Sequence, residues 1–511
     1  MTVASTLAVA LQGLEGTVVE VEADVASGLP AFHVVGLPDS SMLQARERVR
    51  SAAGQVGAGI AQRRIAVNLQ PAYLPKGGSG FDLAIAVAVI AAQGDLEPAA
   101  IRGILHLGEL GLDGRVRPVP GVLPSLAAAR RAGVTTAVVP TADLDEARLV
   151  RGVEVVGAED LSQVLRLHGC TKDLAAPDGA LAPSAARAAE TAAHRAPLDF
   201  ADVLGQTEAR RAAEVAAAGG HHLLLSGPPG AGKTMIASRI PGVLPPLSEA
   251  DALEVSAVHS LSGGFDARDG LISVPPFEAP HHTATTASIV GGGSGLARPG
   301  AISRAHAGVL FLDEAPEFSA RVLEALREPL ETGDVTIHRA RGVTRYPARF
   351  QLVMAANPCP CGHAWGRGDR CSCTPLQRRR YLARLSGPVL DRIDMRVEVA
   401  PVDLRRVEAQ GEPSAPVAAR VAAARARQAR RFADLSWSTN AHIPGALLRG
   451  RFAPVPAARA LLEGAVEQGR LTLRGHDRVL RVAWTLADLD EADRPDGDHV
   501  GIALGMRGTD R

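Results

Sequence analysis

Residues 221–234 read HHLLLSGPPGAGKT, an apolar run that stops at serine and gives way to eight glycine-rich residues. Gly227 to Thr234 fits the pattern G-x-x-x-x-G-K-[ST], and it lies where a buried strand should turn into a helix. In such a P-loop the backbone N–H groups of Gly227, Pro228, Pro229, Gly230, Ala231 and Gly232, prolines excepted, wrap the phosphates of a nucleotide. Lys233 reaches the β- and γ-phosphates, and the Thr234 hydroxyl binds Mg²⁺ at the positive end of the helix that follows. Lysine occurs only at 76, 172 and 233 in a chain with 55 basic residues, so nearly all the positive charge is arginine. A lysine kept at 233 against that bias points to a need for its compact ammonium group.

Two further apolar runs fall in place downstream. GVLFLDE ends in Asp313 and Glu314, and a buried strand delivering two adjacent carboxylates to its tip is costly unless a cation or a reaction uses them. Asp313 is expected to hold Mg²⁺, and Glu314 to polarise the attacking water. RFQLVMAAN brings Asn357 to the same sheet edge, suited to orienting that water or sensing the γ-phosphate. Strand-like runs alternating with helical ones predict a parallel sheet covered by helices.

Residues 1–168 carry strand-like GTVVEVEADV and RRIAVNL and the apolar FDLAIAVAVIAAQG, and read as a separate α/β domain. Residues 169–197, rich in Ala and Pro, read as a linker, with Lys172 an incidental linker charge. The ATP-binding unit then spans 198–400. From 401 to 511 Arg- and Ala-rich segments predict a small helical domain. The 511 residues balance 55 basic against 55 acidic side chains, so a nucleic-acid site, if there is one, must be local. No apolar run reaches the ~18 residues of a membrane span, and the first residues lack a signal-peptide pattern. The expected location is the cytoplasm, with no membrane partner.

Four of the five cysteines crowd into NPCPCGHAWGRGDRCSC, residues 357–373. In a reducing compartment Cys359, Cys361, Cys371 and Cys373 point to metal binding rather than disulfides. Their spacing is compatible with one tetrahedral, structural Zn²⁺, with His363 as an alternative to one thiolate and a metal-free loop as the other reading. Cys170 is left as a plain thiol.

In the order P-loop, LFLDE, AAN, LDRID and LTLRGHDRVLRVA, the chain resembles AAA+ ATPases of the helix-2-insert group. Through GLPDSSMLQARERVRSA, LPKGGSGFDLAIA, APHHTATTASIVGGG, RPGAISRAHAGVLFLDEAPEF and NPCPCG it resembles the ComM/YifB-type magnesium-chelatase-like family. The resemblance implies that Lys233, Thr234, Asp313, Glu314 and Asn357 act in ATP hydrolysis. It makes Arg392 a trans-acting arginine finger and Arg474 a second sensor arginine, with Arg478 one turn away. It also implies a hexameric ring, a helical lid at the C-terminus, and a branch-migration helicase acting on branched or single-stranded DNA in recombination or DNA uptake. The motor subunit of a metal-chelatase complex is the alternative. The N-terminal domain resembles the Lon-protease fold. A Lon-type dyad is absent, since Gly80 stands where its serine would be and Leu123 where its lysine would be, and Ser79 has no second lysine to activate it. Lys76 is then a structural turn residue or a partner contact.

Between LDE and AAN, VTIHR and VTRYP flank Ala340, Arg341 and Gly342 and read as a hairpin. His338, Arg339, Arg341 and Arg345 make it a local basic cluster suited to DNA phosphates, against a solvated or intersubunit hairpin. His281 and His282 are read as capping or packing residues, with a ligand role as the alternative.

Overall fold

The computed structural model describes residues 3–39, 42, 44–177, 198–293, 297–339, 342–385, 387–402 and 411–507. The expected linker falls mostly on 178–197, outside the described residues. Its first part belongs to the N-terminal domain: Leu174 is buried in that core, the Ala175 N–H donates to the Val56 carbonyl, and Lys172 pairs with Asp95 at 2.5 Å.

That domain is built on a mixed seven-stranded sheet. Strands Ala4–Gln12, Glu15–Ala26 and Arg64–Gln70 run antiparallel in its middle. The short strand Ala31–Val35 closes one edge in parallel, and Leu105–His106, Thr136–Pro140 and Glu154–Ala158 extend the other. The helix Asp82–Ala92 is buried on every side, which its unbroken apolar sequence demands. Its one charge, Asp82, accepts two hydrogen bonds from Arg48.

Five parallel strands form the second sheet, in the order Phe277–Glu278, Val309–Leu312, Gln351–Ala356, Leu223–Ser226, Met395–Glu398. Because side chains alternate across a strand, each strand supplies two cores. Leu223, Leu225, Phe311, Val353 and Val397 face helix Thr207–Gly219 and the C-terminal helices, where Val421, Val479 and Trp484 meet them. Leu224, Leu312 and Met354 face the opposite layer, with Ile302, Phe318 and Leu323. Burying each such side chain contributes roughly 1.5–3 kcal/mol.

The C-terminal helices Ser414–Arg431, Pro456–Glu467, Leu473–Leu489 and Gly497–Arg507 therefore share one core with the sheet instead of closing a core of their own. Among the described residues no helix is long and apolar enough to cross a membrane.

The expected hairpin forms between Asp334–Arg339 and Gly342–Pro347, paired from Asp334↔Pro347 to Arg339↔Gly342. Val335, Ile337 and Tyr346 bury one of its faces, and Leu14 from the first turn of the N-terminal domain packs into the same cluster. Helix Glu249–Ser262 makes a second bridge between the domains. Its Ser260 hydroxyl donates to Glu146 at 2.6 Å, and the same carboxylate oxygen accepts the Leu123 N–H at 2.9 Å.

Candidate active site

In an open parallel sheet, ligands bind beyond the carboxyl ends of the strands. Here those ends lead into Gly227, Ala279, Asp313, Asn357 and Val399. Gly230 and Gly232 have φ of +78° and +92°, a left-handed conformation that glycine adopts without penalty, and helix Lys233–Ala237 starts directly afterwards. The Lys233 ammonium is buried and donates to the carbonyls of Gly227 and Pro228 at 2.6 and 2.9 Å and to Asn357 Oδ1 at 3.0 Å. Burial lowers its pKa, while Asp313 and Glu314 oppose that shift.

Thr234 Oγ1 donates to Asp313 Oδ2 at 2.7 Å, so hydroxyl and carboxylate already touch. That pair fits Mg²⁺, which takes one or two protein oxygens and keeps its remaining positions for water and phosphate. The other Asp313 oxygen accepts the N–H of Glu314 at 2.9 Å. Glu314 itself sits at φ +50°, a left-handed conformation that costs a non-glycine residue roughly 1–2 kcal/mol. Strain of that kind at the tip of a buried strand turns the carboxylate into the cleft. A cavity of about 300 Å³ opens there, lined by Thr234, Phe277, His281, His282, Asp313 and Glu314.

Sequence reasoning named His282 but missed its contact with Glu314. Nδ1 of that ring lies 3.2 Å from Glu314 Oε2, and the His281 ring packs against it with centroids 4.1 Å apart. The available signal was two titratable rings just past a strand end, but that strand, Phe277–Glu278, has two residues and leaves no pattern.

Arg392, Arg474 and Arg478 gather at the other end of the sheet. Arg478 Nη1 donates to the Arg392 carbonyl at 2.9 Å and to Asp394 at 2.5 Å. Asp394 in turn accepts the N–H of His222, the residue before strand Leu223–Ser226, at 3.0 Å. Burial alone would raise the Asp394 pKa, yet Arg478 and His221 hold it well below the carboxylate range. Arg474 is exposed and 3.5 Å from Asp391, and Arg392 pairs with Glu331. The P-loop begins a full strand away, about 13 Å at roughly 3.3 Å per residue.

Of the hairpin residues, His338 is exposed, and Arg345 is exposed but paired with Asp334. The Arg339 side chain and all of Arg341 lie outside the described residues.

Beyond Asn357 the four cysteine ligand atoms lie within 4.8 Å of one another. Cys359 and Cys361 sulfurs are 3.4 Å apart, and each is 3.7 Å from that of Cys371. A tetrahedral Zn²⁺ with bonds of about 2.3 Å sets its ligand sulfurs about 3.8 Å apart, so the residues present fit the metal. The backbone N–H of His363 holds the Cys361 thiol down at about 5, while burial and the neighbouring thiols push those of Cys371 and Cys373 up in the metal-free cluster. His363 is exposed and stands outside the ligand group.

In the N-terminal domain Lys76 is buried and spends its ammonium on the carbonyls of Leu69 and Pro71, while the Ser79 hydroxyl donates to Glu109. Lys76 is thus a structural residue of its turn.

Comparison with known proteins agrees with this architecture segment by segment. Residues 199–407 match the family described as magnesium chelatase, subunit ChlI; residues 21–143 match subunit ChlI of Mg-chelatase; and residues 411–507 match the ChlI C-terminal family. An uncharacterised Mycobacterium tuberculosis protein, Rv2897c, is 49% identical over 100% of this chain and 99% of its own length. The uncharacterised Escherichia coli protein YifB is 41% identical over 98% of this chain and 96% of its own. The competence protein ComM of Haemophilus influenzae is 38% identical, again over 98% of this chain and 96% of its own length. With P-loop, paired carboxylates and clustered cysteines in place along its whole length, the chain belongs to the ComM/YifB-type family of magnesium-chelatase-like proteins.

Proposed function

We propose that the chain is an AAA+ ATPase motor that acts on DNA as a hexameric ring, a branch-migration helicase serving recombination or DNA uptake. The observation that carries the ATPase reading is that the strand ends bring Thr234, Asp313 and Glu314 to one cavity, with Lys233 and Asn357 bonded to each other at the P-loop beside it. Bound Mg-ATP supplies the phosphoryl group and the metal charge that steadies it in flight. Lys233 and the loop N–H groups hold the phosphates, and Thr234 and Asp313 hold the metal. Glu314 takes the proton of the attacking water, with Asn357, bonded to Lys233, aligning that water. His282 fixes the Glu314 carboxylate from the far side.

Arg392 and Arg474 sit too far from this P-loop to serve it, which supports a ring in which they reach a neighbour's phosphates. The cysteine cluster holds a structural zinc. The DNA reading rests on the hairpin, where the exposed His338 and the basic residues around it offer phosphate contacts in a neutral chain. The name shared by the matching family models favours a second reading, the motor of a metal-chelatase complex.

ATPase rates with branched DNA, single strands or a porphyrin separate the two. Stimulation by DNA and indifference to porphyrin is the expected result, and the reverse would replace this function with the chelatase one.

A further inference from the structure

The segment from Asn357 to Leu385 carries six arginines and one aspartate in a chain with no net charge. Its first half is the cysteine loop, pinned by four sulfurs. Its second half is the helix Pro375–Leu382, started by a capping box in which the Thr374 hydroxyl and Gln377 bond reciprocally. Arg367 and Arg370 are exposed on the loop, Arg379 and Arg380 on the helix. Among the described residues none hydrogen-bonds or ion-pairs with these four side chains. The other two arginines are occupied: Arg378 donates to the Cys373 carbonyl at 3.3 Å and Arg384 to Glu317 at 2.8 Å.

The scaffold beneath them adjoins the nucleotide cleft. Gly362, at φ +78°, lies so close to the P-loop that an added Cβ would stand 2.5 Å from Pro229 Cγ. Arg384 ties the helix end to the turn after Glu314, and Asn357 reaches Lys233. Four exposed guanidinium groups close together in sequence offer donors to a repeating anion, since each matches a phosphate with two parallel N–H groups.

We propose that the cysteine loop and the helix behind it form a second surface for the phosphodiester backbone of nucleic acid, separate from the hairpin. This rests on the DNA reading above but uses different residues. A second copy of the chain is the competing partner. Its densest acidic run is 488–498, however, and there four of the six carboxylates are already engaged: Asp488 pairs with Arg431, Asp490 with Arg211, Glu491 with Arg427 and Asp496 with His499. A free polyanion satisfies the four arginines without breaking those pairs.

The test measures affinity for a labelled single strand and a labelled duplex at several salt concentrations. It compares the wild-type chain, R367A/R370A/R379A/R380A, the same four changed to lysine, and the hairpin variant R339A/R341A. Removing one arginine–phosphate pair flattens the slope of log affinity against log salt by roughly 0.7–0.9, so the slope of the alanine quadruple should be shallower by roughly 3. The lysine quadruple should keep most of the slope, and ATPase without DNA should be unchanged in both. A flattened slope in the quadruple with or without an effect at the hairpin upholds the surface. An unchanged slope there, with a flattened one in the hairpin variant, overturns this surface and leaves the DNA motor standing. If the wild-type chain binds neither strand nor duplex, both readings fall. Loss of assembly in the quadruple with its slope intact would hand the surface to a neighbouring subunit.

Discussion

Replacing Glu314 with glutamine removes the proton acceptor and little else. The side chain keeps its length, the backbone keeps its left-handed turn, and the amide oxygen can still meet His282 Nδ1 across the 3.2 Å now spanned by the carboxylate. General-base assistance contributes about 10²–10⁴ in rate, so kcat should fall by that factor, or about 3–5 kcal/mol in the barrier. Nucleotide affinity should change by less than about threefold, because the phosphates are held by Lys233 and the loop, and that energy is separate from the loss in turnover. Lys233→Ala should instead lose binding. The backbone strain gives an independent check: Glu314→Gly relieves about 1–2 kcal/mol of left-handed penalty and returns about 0.5–1 as glycine's extra unfolded-state entropy. The glycine variant should thus melt later than Glu314→Ala, though both are inactive. Phosphate release under saturating ATP, binding of a fluorescent ATP analogue and thermal melting report the three quantities. Wild-type turnover in Glu314→Gln would refute the base assignment, and a glycine variant less stable than the alanine one would refute the strain argument.

Purified under reducing conditions, the chain should carry about one zinc, lost when Cys359 and Cys371 become serine; metal analysis finding none in the wild-type chain would exclude the site. Mixing inactive Arg392→Ala with inactive Glu314→Gln in equal amounts should restore activity at about one quarter of the sites, where an intact cleft meets an intact neighbouring arginine; no recovery in co-assembled rings would show that Arg392 does not act in trans. Burial, with His168 beside it, lowers the His106 pKa to about 3, and burial lowers that of His222 to about 4. Both are held neutral in the fold, so their contribution is complete above pH 6.5 and is lost as pH falls below it, about 2 kcal/mol each by pH 5. Melting curves at pH 7.5 and pH 5 check this, and a midpoint insensitive to pH over that interval would contradict it.

The nucleotide cleft was legible because fully buried parallel strands are continuous apolar runs, and each run here ends on its working residue: Ser226 before the P-loop, Leu312 before Asp313, Ala356 before Asn357. The hairpin was legible for the complementary reason, since one face alternates apolar residues against an exposed face. The strand Phe277–Glu278 was not: two residues carry no period, and with the strand went the placement of His282 against Glu314. In the N-terminal domain Leu105–His106 escaped in the same way, although it joins the two halves of the sheet. The C-terminal helices show a different limit. An amphipathic stripe such as that of Leu473–Leu489 states that one face is buried but not against what. Only the structure joins Val479, Val482 and Trp484 to Leu223, Phe311 and Val353 in one core.

That shared core bears on how the motor would be wired. The C-terminal helices pack beneath the sheet, and Arg478 and Arg507 fasten them to Asp394 and the Ile393 carbonyl at the foot of strand Met395–Glu398. A lid hinged over its own nucleotide would place its sensor arginine beside Lys233. Here the same fastening carries Arg474 and Arg392 to the edge that Lys233 does not occupy. Among the described residues Lys233 is the cation at the P-loop, so charge developing on a transferred group would lack a second clamp within one chain. In the proposed ring a neighbour's sheet foot supplies that clamp, and hydrolysis in one subunit then depends on the seating of the next. In such a ring the shared core would pass a displacement at one cleft to the next through packed helices.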